Sequence, residues 1–315
     1  MGTFWKNKKV VVVGGAGFIG SHTVDELLRR DARVVIIGKS AFKESKRGGS
    51  FINPKAKFYR ANAASPGDIG EVFRRERPDF VMNFAALTDI PLAIREPLRD
   101  AESIFIIINI LENAVRFGVK KILHASSGFI YGNTRRIPTP ETEPPQFTNS
   151  YAISKFACEN YLKFFNAQYG LPYVSLRYAN VYGPRRKTGV IPYFIRQIIG
   201  NEPSDTYGKK TRDCVFVSDA VRANLLAFEK SIRGSEPVFN IGSGQEASLG
   251  EIHSIIKKLL GKPKAELFQK PAKKGEVNRM CLDIRRAKKV LGFAPSVSLE
   301  EGLRQTVEWY KEYFR

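Results

Sequence analysis

The chain has 315 residues, of which 43% are hydrophobic and 26% are charged, so it can bury a full core without disulfides or structural metals. Lysine and arginine outnumber aspartate and glutamate by 51 to 31, but they form only short clusters without interleaved aromatics, which argues against nucleic-acid binding. Most of this charge is expected to be solvated surface, and the phosphates of a nucleotide would account for any attraction to an anionic ligand. Three scattered cysteines, three scattered histidines and the absence of any apolar run near the roughly 20 residues of a membrane span predict a cytoplasmic protein without a metal site or a membrane segment.

Strands and helices alternate along the first 180 residues. Short runs of β-branched and other apolar residues predict strands, and segments with apolar residues three or four positions apart predict helices between them. The predicted strands are 10–13, 33–37, 57–60, 80–83, 121–125 and 172–176, and the predicted helices are 21–30, 69–75, 100–118 and 151–170. This order predicts an α/β fold for residues 1–180, a Rossmann-type doubly wound parallel sheet with helices on both faces.

Residues 181–315 carry a looser pattern of glycines, prolines and short apolar runs. Strands are predicted at 212–217 and 238–241, and helices at 251–261 and 299–314. We expect a smaller mixed lobe here, with part of 213–242 returning to the first domain. In this architecture a ligand is expected between the carboxyl edge of the sheet and the added lobe.

A glycine-rich segment follows the first predicted strand and opens the first helix. Gly14, Gly17 and Gly20 are spaced as G-x-x-G-x-x-G. Glycine permits the tight turn and the close approach of the backbone to a pyrophosphate, and the helix N-terminus adds N–H donors and a positive dipole. Such glycines also occur in plain strand-to-helix turns, but the position after the first strand favours dinucleotide binding.

Tyr151 and Lys155 are four residues apart in a predicted helix and therefore share one of its faces. A neighbouring ammonium favours the phenolate form of a tyrosine, which can then act as a base. Ser127 follows a predicted strand, and its hydroxyl could hydrogen-bond the substrate oxygen that the tyrosine deprotonates. Taken singly, the pair could be an exposed helix contact and the serine a turn residue. Together at the carboxyl edge of the sheet, they favour a proton-transfer site.

Six further segments accompany the glycine loop, the serine and the Tyr-x-x-x-Lys pair. They are NFAA at 83–86, SSGFIYG at 126–132, LRYANVYGPR at 176–185, RDCVFVSD at 212–219, FNIGSG at 239–244 and LGFAPSVSLEEGLRQTVEWY at 291–310. In this order and over almost the whole chain, the sequence resembles the extended short-chain dehydrogenase/reductases. Within that group it is similar to the NAD(P)-dependent nucleotide-sugar epimerase/dehydratase family.

The resemblance implies that Tyr151 is the acid/base, that Lys155 supports it and binds the nicotinamide ribose, and that Ser127 is the hydroxyl partner. The cofactor residues that it implies are Gly14, Gly17, Phe18, Ile19, Gly20, Gly38, Lys39, Ser40, Asn62, Ala63, Phe84, Ala85, Ala86, Tyr151, Lys155 and Tyr178. The implied substrate is a nucleoside-diphosphate sugar, and its expected ligands are Thr88, Ser127, Asn180, Arg212 and Arg279. The resemblance also implies a homodimer formed through the helices near 100–117 and 151–168.

Two departures from the family pattern narrow the expected reaction. Dehydratases and decarboxylases of this group carry acidic residues directly after the serine, whereas this chain has Gly128 and Phe129. Neither side chain can transfer a proton, so elimination and decarboxylation are disfavoured. Epimerisation remains the leading hypothesis, at C4 by analogy with the family. NADPH-dependent reduction of a 4-keto sugar is the alternative, and a non-catalytic dinucleotide-binding scaffold is a third possibility.

The end of the second predicted strand departs from the family at the adenosine ribose. NAD-preferring relatives carry an aspartate at the position of Gly38, whose carboxylate binds the ribose hydroxyls and repels a 2′-phosphate. Here Gly38 removes the negative charge, Lys39 adds a positive charge, and Asn62 replaces a second acidic residue. These changes favour NADP over NAD. Alternatively, Lys39 is only a loop charge and NAD binds through the remaining contacts.

Overall fold

A computed structural model of the chain describes residues 3–39, 51–232, 236–272 and 277–313. The chain folds into two compact units, each assembled from separate parts of the sequence. The first unit comprises Met1–Ser127, Asn149–Arg177 and Val221–Phe239, and the second comprises Gly128–Thr148, Tyr178–Ala220 and Asn240–Arg315. The expected cofactor residue Ser40 lies outside the described residues.

The helices and strands follow one another in an order close to the predicted one. Up to the end of the sixth strand they are β1 (Lys9–Val13), α1 (Phe18–Arg29), β2 (Arg33–Gly38), β3 (Lys57–Arg60), α2 (Pro66–Glu76), β4 (Phe80–Asn83), α3 (Ile90–Arg95), α4 (Pro97–Phe117), β5 (Lys121–Ser127), α5 (Ser150–Tyr169) and β6 (Tyr173–Tyr178). The remaining elements are β7 (Asn180–Tyr182), α6 (Val190–Ile199), β8 (Ser204–Tyr207), β9 (Thr211–Arg212), β10 (Cys214–Phe216), α7 (Val217–Glu229), β11 (Val238–Ile241), β12 (Ala247–Ser248), α8 (Leu249–Leu259), β13 (Leu267–Lys270), α9 (Arg285–Leu291) and α10 (Leu299–Tyr313). Short 3-10 helices lie at Thr3–Trp5 and Gly128–Tyr131.

A seven-stranded sheet forms the centre of the first unit, in the order β11-β6-β5-β4-β1-β2-β3. β1 is parallel to both β2 and β4, and the pairs β2–β3 and β4–β5 are parallel as well. The predicted Rossmann-type α/β fold is therefore confirmed. The strand order reverses between β1 and β4, which is the position where ligands bind in such sheets.

The valine run Val10–Val13 explains why β1 is central. Its four residues are at most 1% exposed, because the sheet covers both edges of the strand and helices cover both faces. On one face Val11, Val13 and Val81 pack in a cluster with Ile107 and Ile110 of α4. The continuous apolar run in the sequence thus corresponds to a strand that is buried on every side.

The predicted strand at 212–217 is wrong in its extent. β9 ends one residue before Asp213, β10 starts one residue after it, and Val217 already belongs to α7. The Asp213 side chain is fully buried and accepts hydrogen bonds from the backbone N–H groups of Ser243 (2.6 Å) and Leu282 (3.1 Å). The strand is broken at this residue, where the carboxylate meets long-range partners that no local pattern encodes.

Four helices, α3, α6, α7 and α9, have no predicted counterpart. In α6 the buried residues Ile191, Phe194, Ile195 and Ile198 do follow helical spacing. The helix is short and contains Pro192, and prolines and glycines favour a loop interpretation in such a segment. Its apolar face is nevertheless buried, so packing within the second unit stabilises a helix that local preference leaves undecided.

Small sheets build the second unit. β7 is parallel to β10, β9 is antiparallel to β12, and β8 is parallel to β13. α10 packs closely on this framework at Gly302, where an added Cβ would lie 2.2 Å from the hydroxyl oxygen of Tyr182. Within the part of the chain that the structure describes, no helix combines the length and the apolar character needed to cross a membrane.

Candidate active site

The glycine loop joins β1 to α1 at the carboxyl edge of the sheet. Gly14 has a φ of +76°, and a Cβ on it would lie 2.8 Å from the backbone nitrogen of Ala85. A Cβ on Gly20 would lie 2.3 Å from the carbonyl oxygen of Gly14, so the first turn of α1 contacts the loop directly. Gly17 is the N-cap residue of α1 and offers no side chain in front of the helix. Backbone N–H groups can therefore approach a phosphate here.

A cavity of about 250 Å³ adjoins this loop in the first unit. Its lining comes from the carboxyl ends of β1 and β2, the segments after β3 and β4, and one face of α4. Six expected cofactor residues line it, namely Gly14, Gly38, Lys39, Ala63, Ala85 and Ala86. Its position beside the glycine loop and its mostly small, apolar walls suit a nucleoside, so the residues present fit a dinucleotide.

Four residues of α4 also line the cavity, and the sequence patterns did not identify them as site residues. They are Arg99, Glu102, Ser103 and Ile106. Their spacing of three, one and three positions places them on one helical face. The spacing alone does not distinguish a cavity wall from a core face, because it does not show what that face meets.

The end of the cavity near Gly38 carries opposite charges. The Nζ atom of Lys39 lies 2.7 Å from Oε2 of Glu102, and both side chains remain about half exposed. At Gly38 an added Cβ would have ordinary contact with Phe58, at 3.5 Å, so the glycine is not forced by close packing. Asn62 does not line the cavity; its side chain accepts a hydrogen bond from the backbone N–H of Ala64 at 3.1 Å.

Tyr151 and Lys155 lie on successive turns at the start of α5. The helix begins cleanly because the Asn149 side chain accepts a hydrogen bond from the backbone N–H of Ala152 at 3.0 Å. Lys155 is 3% exposed and donates a hydrogen bond to the carbonyl oxygen of Ala125 in β5 at 2.5 Å. Its ammonium lies 5.7 Å from the centroid of the Tyr151 ring. The Lys155 side chain is thus turned toward β5, and the Tyr151 ring lies close to its ammonium.

Ser127 is the last residue of β5 and is 4% exposed. It lies two residues beyond the carbonyl that binds Lys155, so all three expected catalytic residues belong to α5 and the adjacent strand. His124 is buried earlier in the same strand, and burial holds the pKa of its imidazole well below the ordinary value. His124 therefore stays neutral and adds no positive charge beneath the site.

Buried polar contacts fix α5 to its neighbours. The Ser154 hydroxyl donates a hydrogen bond to Asp100 of α4 at 2.7 Å. Arg177 of β6 donates to Glu159 through Nη2 at 2.6 Å and through Nε at 3.0 Å, and both residues are at most 7% exposed. These contacts limit movement of the helix that carries Tyr151.

Gly128 directly follows the expected catalytic serine and belongs to the second unit. An added Cβ would lie 3.1 Å from Cδ2 and 3.2 Å from Cδ1 of Leu282. Gly128 therefore provides no proton donor, and the apolar side chain of Leu282 covers it closely. The resemblance places an acidic residue at this position in dehydratases. An additional acid/base at this position would require repacking around Leu282.

Three expected substrate residues lie close together in the second unit. Asn180 is opposite Cys214 in the β7–β10 pair, and Arg212 ends β9 two positions before that cysteine. Nη1 of Arg212 donates to the carbonyl oxygen of Asn278, at 3.2 Å, and Arg279 is the next residue. The structure thus gathers two guanidinium groups and one amide around neighbouring strands.

Glu246 is a residue of this cluster that the sequence patterns did not identify. It accepts hydrogen bonds from Nη2 of Arg279 at 2.6 Å and from the Thr211 hydroxyl. The Arg279 guanidinium lowers the pKa of the Glu246 carboxyl, which is therefore ionised at neutral pH. The pair holds Arg279 beside β9 while leaving its side chain accessible to solvent.

The remaining expected residues lie in different parts of the chain. Thr88 is exposed in the segment after β4 of the first unit. Tyr178 ends β6, is assigned to the second unit and is 5% exposed. Among the described residues, no group of three or more histidine, cysteine, aspartate or glutamate side chains is placed to hold a metal ion.

Comparison with known proteins accounts for nearly the whole chain. The model of the NAD dependent epimerase/dehydratase family matches residues 10–242. The chain is 36% identical to a putative UDP-glucose 4-epimerase of Methanocaldococcus jannaschii, over 96% of this chain and 98% of the relative.

Solved structures give the same result. The UDP-glucose 4-epimerase of Thermotoga maritima with UDP-glucose is 39% identical, with a TM-score of 0.91 over 98% of this chain and 100% of that chain. The UDP-glucose 4-epimerase of Thermus thermophilus in complex with NAD is 32% identical, with a TM-score of 0.87 over 96% of this chain and 99% of that chain. The chain therefore belongs to the NAD-dependent epimerase/dehydratase family and is an enzyme of the extended short-chain dehydrogenase/reductases.

Proposed function

We propose that the enzyme is a nucleotide-sugar 4-epimerase whose substrate is a UDP-sugar. The observation that carries this proposal is the pairing of Tyr151 and Lys155 on α5 against β5, which ends at Ser127. Gly128 and Phe129, which directly follow Ser127, offer no side chain that can transfer a proton, and this supports epimerisation over elimination or decarboxylation. The similarity to UDP-glucose 4-epimerases supports the choice of C4 and of uridine diphosphate.

In this reaction Tyr151 takes the proton of the sugar C4 hydroxyl and later returns a proton to the same oxygen. The ammonium of Lys155 places a positive charge 5.7 Å from the centroid of the Tyr151 ring, and the Ser127 hydroxyl donates a hydrogen bond to the sugar oxygen. A nicotinamide bound here would supply reversible hydride transfer at C4, the chemistry that the chain's own side chains lack. Since Tyr151 only exchanges a proton with one oxygen, it can serve both directions.

The residues of the second unit would hold the substrate diphosphate. Arg212 and Arg279 present planar guanidinium groups, which match phosphate oxygens in pairs. Asn180 adds an amide donor in the same unit. Glu246 would orient Arg279 by accepting hydrogen bonds from its Nε and Nη2 atoms. The N–H groups on the other side of the guanidinium would then be able to donate to a phosphate.

For the cofactor, we propose that the cavity beside the glycine loop takes the adenosine half of a nicotinamide dinucleotide, with NADP favoured over NAD. Gly38 carries no carboxylate to repel a 2′-phosphate, and Lys39 and Arg99 both line the cavity as cations. A preference for NADP also supports a second candidate function, the NADPH-dependent reduction of a nucleotide-4-keto sugar with Tyr151 as the proton donor.

We further propose that the enzyme is a cytoplasmic homodimer. All three cysteines are buried and unbridged, as in a reducing compartment. α4 and α5 pack against each other and expose large apolar side chains, including Leu98 (88%), Phe105 (60%), Ile153 (51%) and Phe164 (53%). A second copy that presents the same two helices would cover this surface symmetrically.

Replacing Tyr151 by phenylalanine tests the proposed mechanism. The variant keeps the ring but cannot exchange a proton, so the interconversion of UDP-glucose and UDP-galactose should fall by roughly 10²–10⁴-fold. Tyr169→Phe, at the exposed end of the same helix, is the matched control and should keep wild-type activity. Full activity of Tyr151→Phe would refute the assignment.

The same assay separates the two candidate functions. A wild-type enzyme that interconverts UDP-sugars without added cofactor is an epimerase. If no UDP-sugar is interconverted while a nucleotide-4-keto sugar consumes NADPH stoichiometrically, the enzyme is a reductase. In that case Tyr151→Phe should abolish NADPH consumption.

A further inference from the structure

We propose that Glu102 of α4 determines how strongly this enzyme discriminates between NADP and NAD. Glu102 would limit the preference for NADP by holding Lys39 and by opposing a 2′-phosphate. This inference rests on the proposed function, in which the cavity beside the glycine loop takes the adenosine half of the dinucleotide.

The carboxylate of Glu102 lies beside the end of β2, a strand that ends without an acidic residue of its own. β2 ends at Gly38, so the strand supplies no acidic side chain to the ribose. Glu102 reaches the same cavity from α4, 63 residues after Lys39 in the chain, and its Oε2 lies 2.7 Å from Nζ of Lys39. The carboxylate and the residue that follows Gly38 therefore meet at one point of the cavity wall.

A carboxylate at that point has opposite effects on the two dinucleotides. With NAD, it can accept hydrogen bonds from the ribose hydroxyls, as an acidic residue at the end of the second strand does in related folds. With NADP, a 2′-phosphate that approaches Lys39 also approaches Glu102, and the two like charges repel. The phosphate must compete with Glu102 for the ammonium of Lys39.

The pair can be opened by such a ligand. The side chains of Lys39 and Glu102 are 55% and 44% exposed, and an ion pair of this exposure is weak in water. Arg99, one turn before Glu102, also lines the cavity and is paired with the exposed Glu96 at 3.2 Å. Two cations are therefore available to a phosphate, and Glu102 is the anion that opposes it among the described lining residues.

Glu102→Gln tests this inference because it keeps the shape of the side chain and removes its charge. Binding of NADPH and NADH to nucleotide-stripped enzyme, followed by the fluorescence of the reduced dinucleotides, gives the ratio of the two affinities. We expect Glu102→Gln to shift this ratio toward NADPH by roughly 5- to 20-fold, since loss of the charge strengthens the binding of NADPH and weakens that of NADH, and both changes raise the ratio.

Two further variants make the result specific. Glu112→Gln removes the same charge from an exposed position of α4 ten residues further on, about 15 Å along the helix, and should change the ratio less than about 2-fold. Lys39→Met removes the cation and leaves Glu102 in place, so it should shift the ratio toward NADH by roughly 5-fold or more.

The outcomes separate this inference from the proposed function. If both dinucleotides bind and UDP-sugars are interconverted, but Glu102→Gln leaves the ratio within about 2-fold of the wild type, Glu102 is not the discriminating residue. An equal shift in Glu102→Gln and Glu112→Gln would also overturn the inference, because net charge alone would then be responsible. If the wild-type enzyme binds neither dinucleotide, the proposed function itself fails.

Discussion

Gly20 is the position where the glycine loop and α1 depend most directly on the absence of a side chain. A Cβ there would lie 2.3 Å from the carbonyl oxygen of Gly14 and 2.9 Å from Cα of Gly15. Both atoms belong to the backbone of the loop, so no side-chain rotation relieves the contact. Gly20→Ala therefore has to move the first turn of α1 away from the loop by about 1 Å to restore an ordinary contact.

The structure sets the size of the expected effect. Overpacking of this kind costs about 1–3 kcal/mol, which corresponds to a fall in Tm of about 2–12 °C for a domain of this size. Dinucleotide binding should be affected more strongly than unfolding. A shift of about 1 Å in the N–H groups that face a phosphate can lower the dinucleotide affinity on the order of 100-fold.

Thermal unfolding and titration with reduced dinucleotide measure the two effects. Gly67→Ala in α2 is the matched control, since no described atom lies within 4 Å of its added Cβ. That variant should be as stable as the wild type or up to about 1 kcal/mol more stable, and it should bind the dinucleotide normally. A Gly20→Ala variant with wild-type Tm and affinity would refute the close contact and the role of the loop.

Two further predictions concern stability and assembly. Glu159→Gln removes the counter-charge of the buried Arg177 and should lower the free energy of unfolding by about 3–5 kcal/mol, measured by urea denaturation, whereas Glu71→Gln breaks only exposed ion pairs and should leave the urea midpoint close to that of the wild type. Equal losses in the two variants would contradict the buried pair. Phe105→Glu should convert the proposed dimer to a monomer in sedimentation velocity, whereas Phe268→Glu, at an exposed aromatic residue of the second unit, should not. A Phe105→Glu variant that sediments as the wild type does would place the dimer interface elsewhere.

Much of the fold was predictable because its signals are local. Four consecutive valines predict a strand, and Val10–Val13 forms the buried interior strand β1 of the sheet. Val238–Ile241 was predicted from an apolar run and is the edge strand β11. The interruption at Asp213 was not predictable, because the residues that its carboxylate binds are 30 and 69 positions away in the sequence.

The residues of the candidate site likewise fall into two groups, those that local spacing identifies and those that only a tertiary contact identifies. Gly14, Gly20 and the Tyr151–Lys155 pair could be found by spacing, since each motif spans less than two helical turns and its geometry follows from the backbone alone. Glu102 could not be found in this manner. Its spacing on α4 is that of any helix face, and its significance arises only where α4 meets the end of β2.

By itself, then, the sequence determined the parallel sheet and located the glycine loop and the Tyr151–Lys155 pair, because periodicity and turn chemistry act over a few residues. The tertiary structure alone decided what surrounds them. It placed Leu282 against Gly128 and Glu102 against Lys39, pairs separated by long stretches of chain. Packing decides that Gly128 faces an apolar side chain and that Lys39 faces a carboxylate from α4. Such packing depends on the whole fold and not on nearby residues in the sequence.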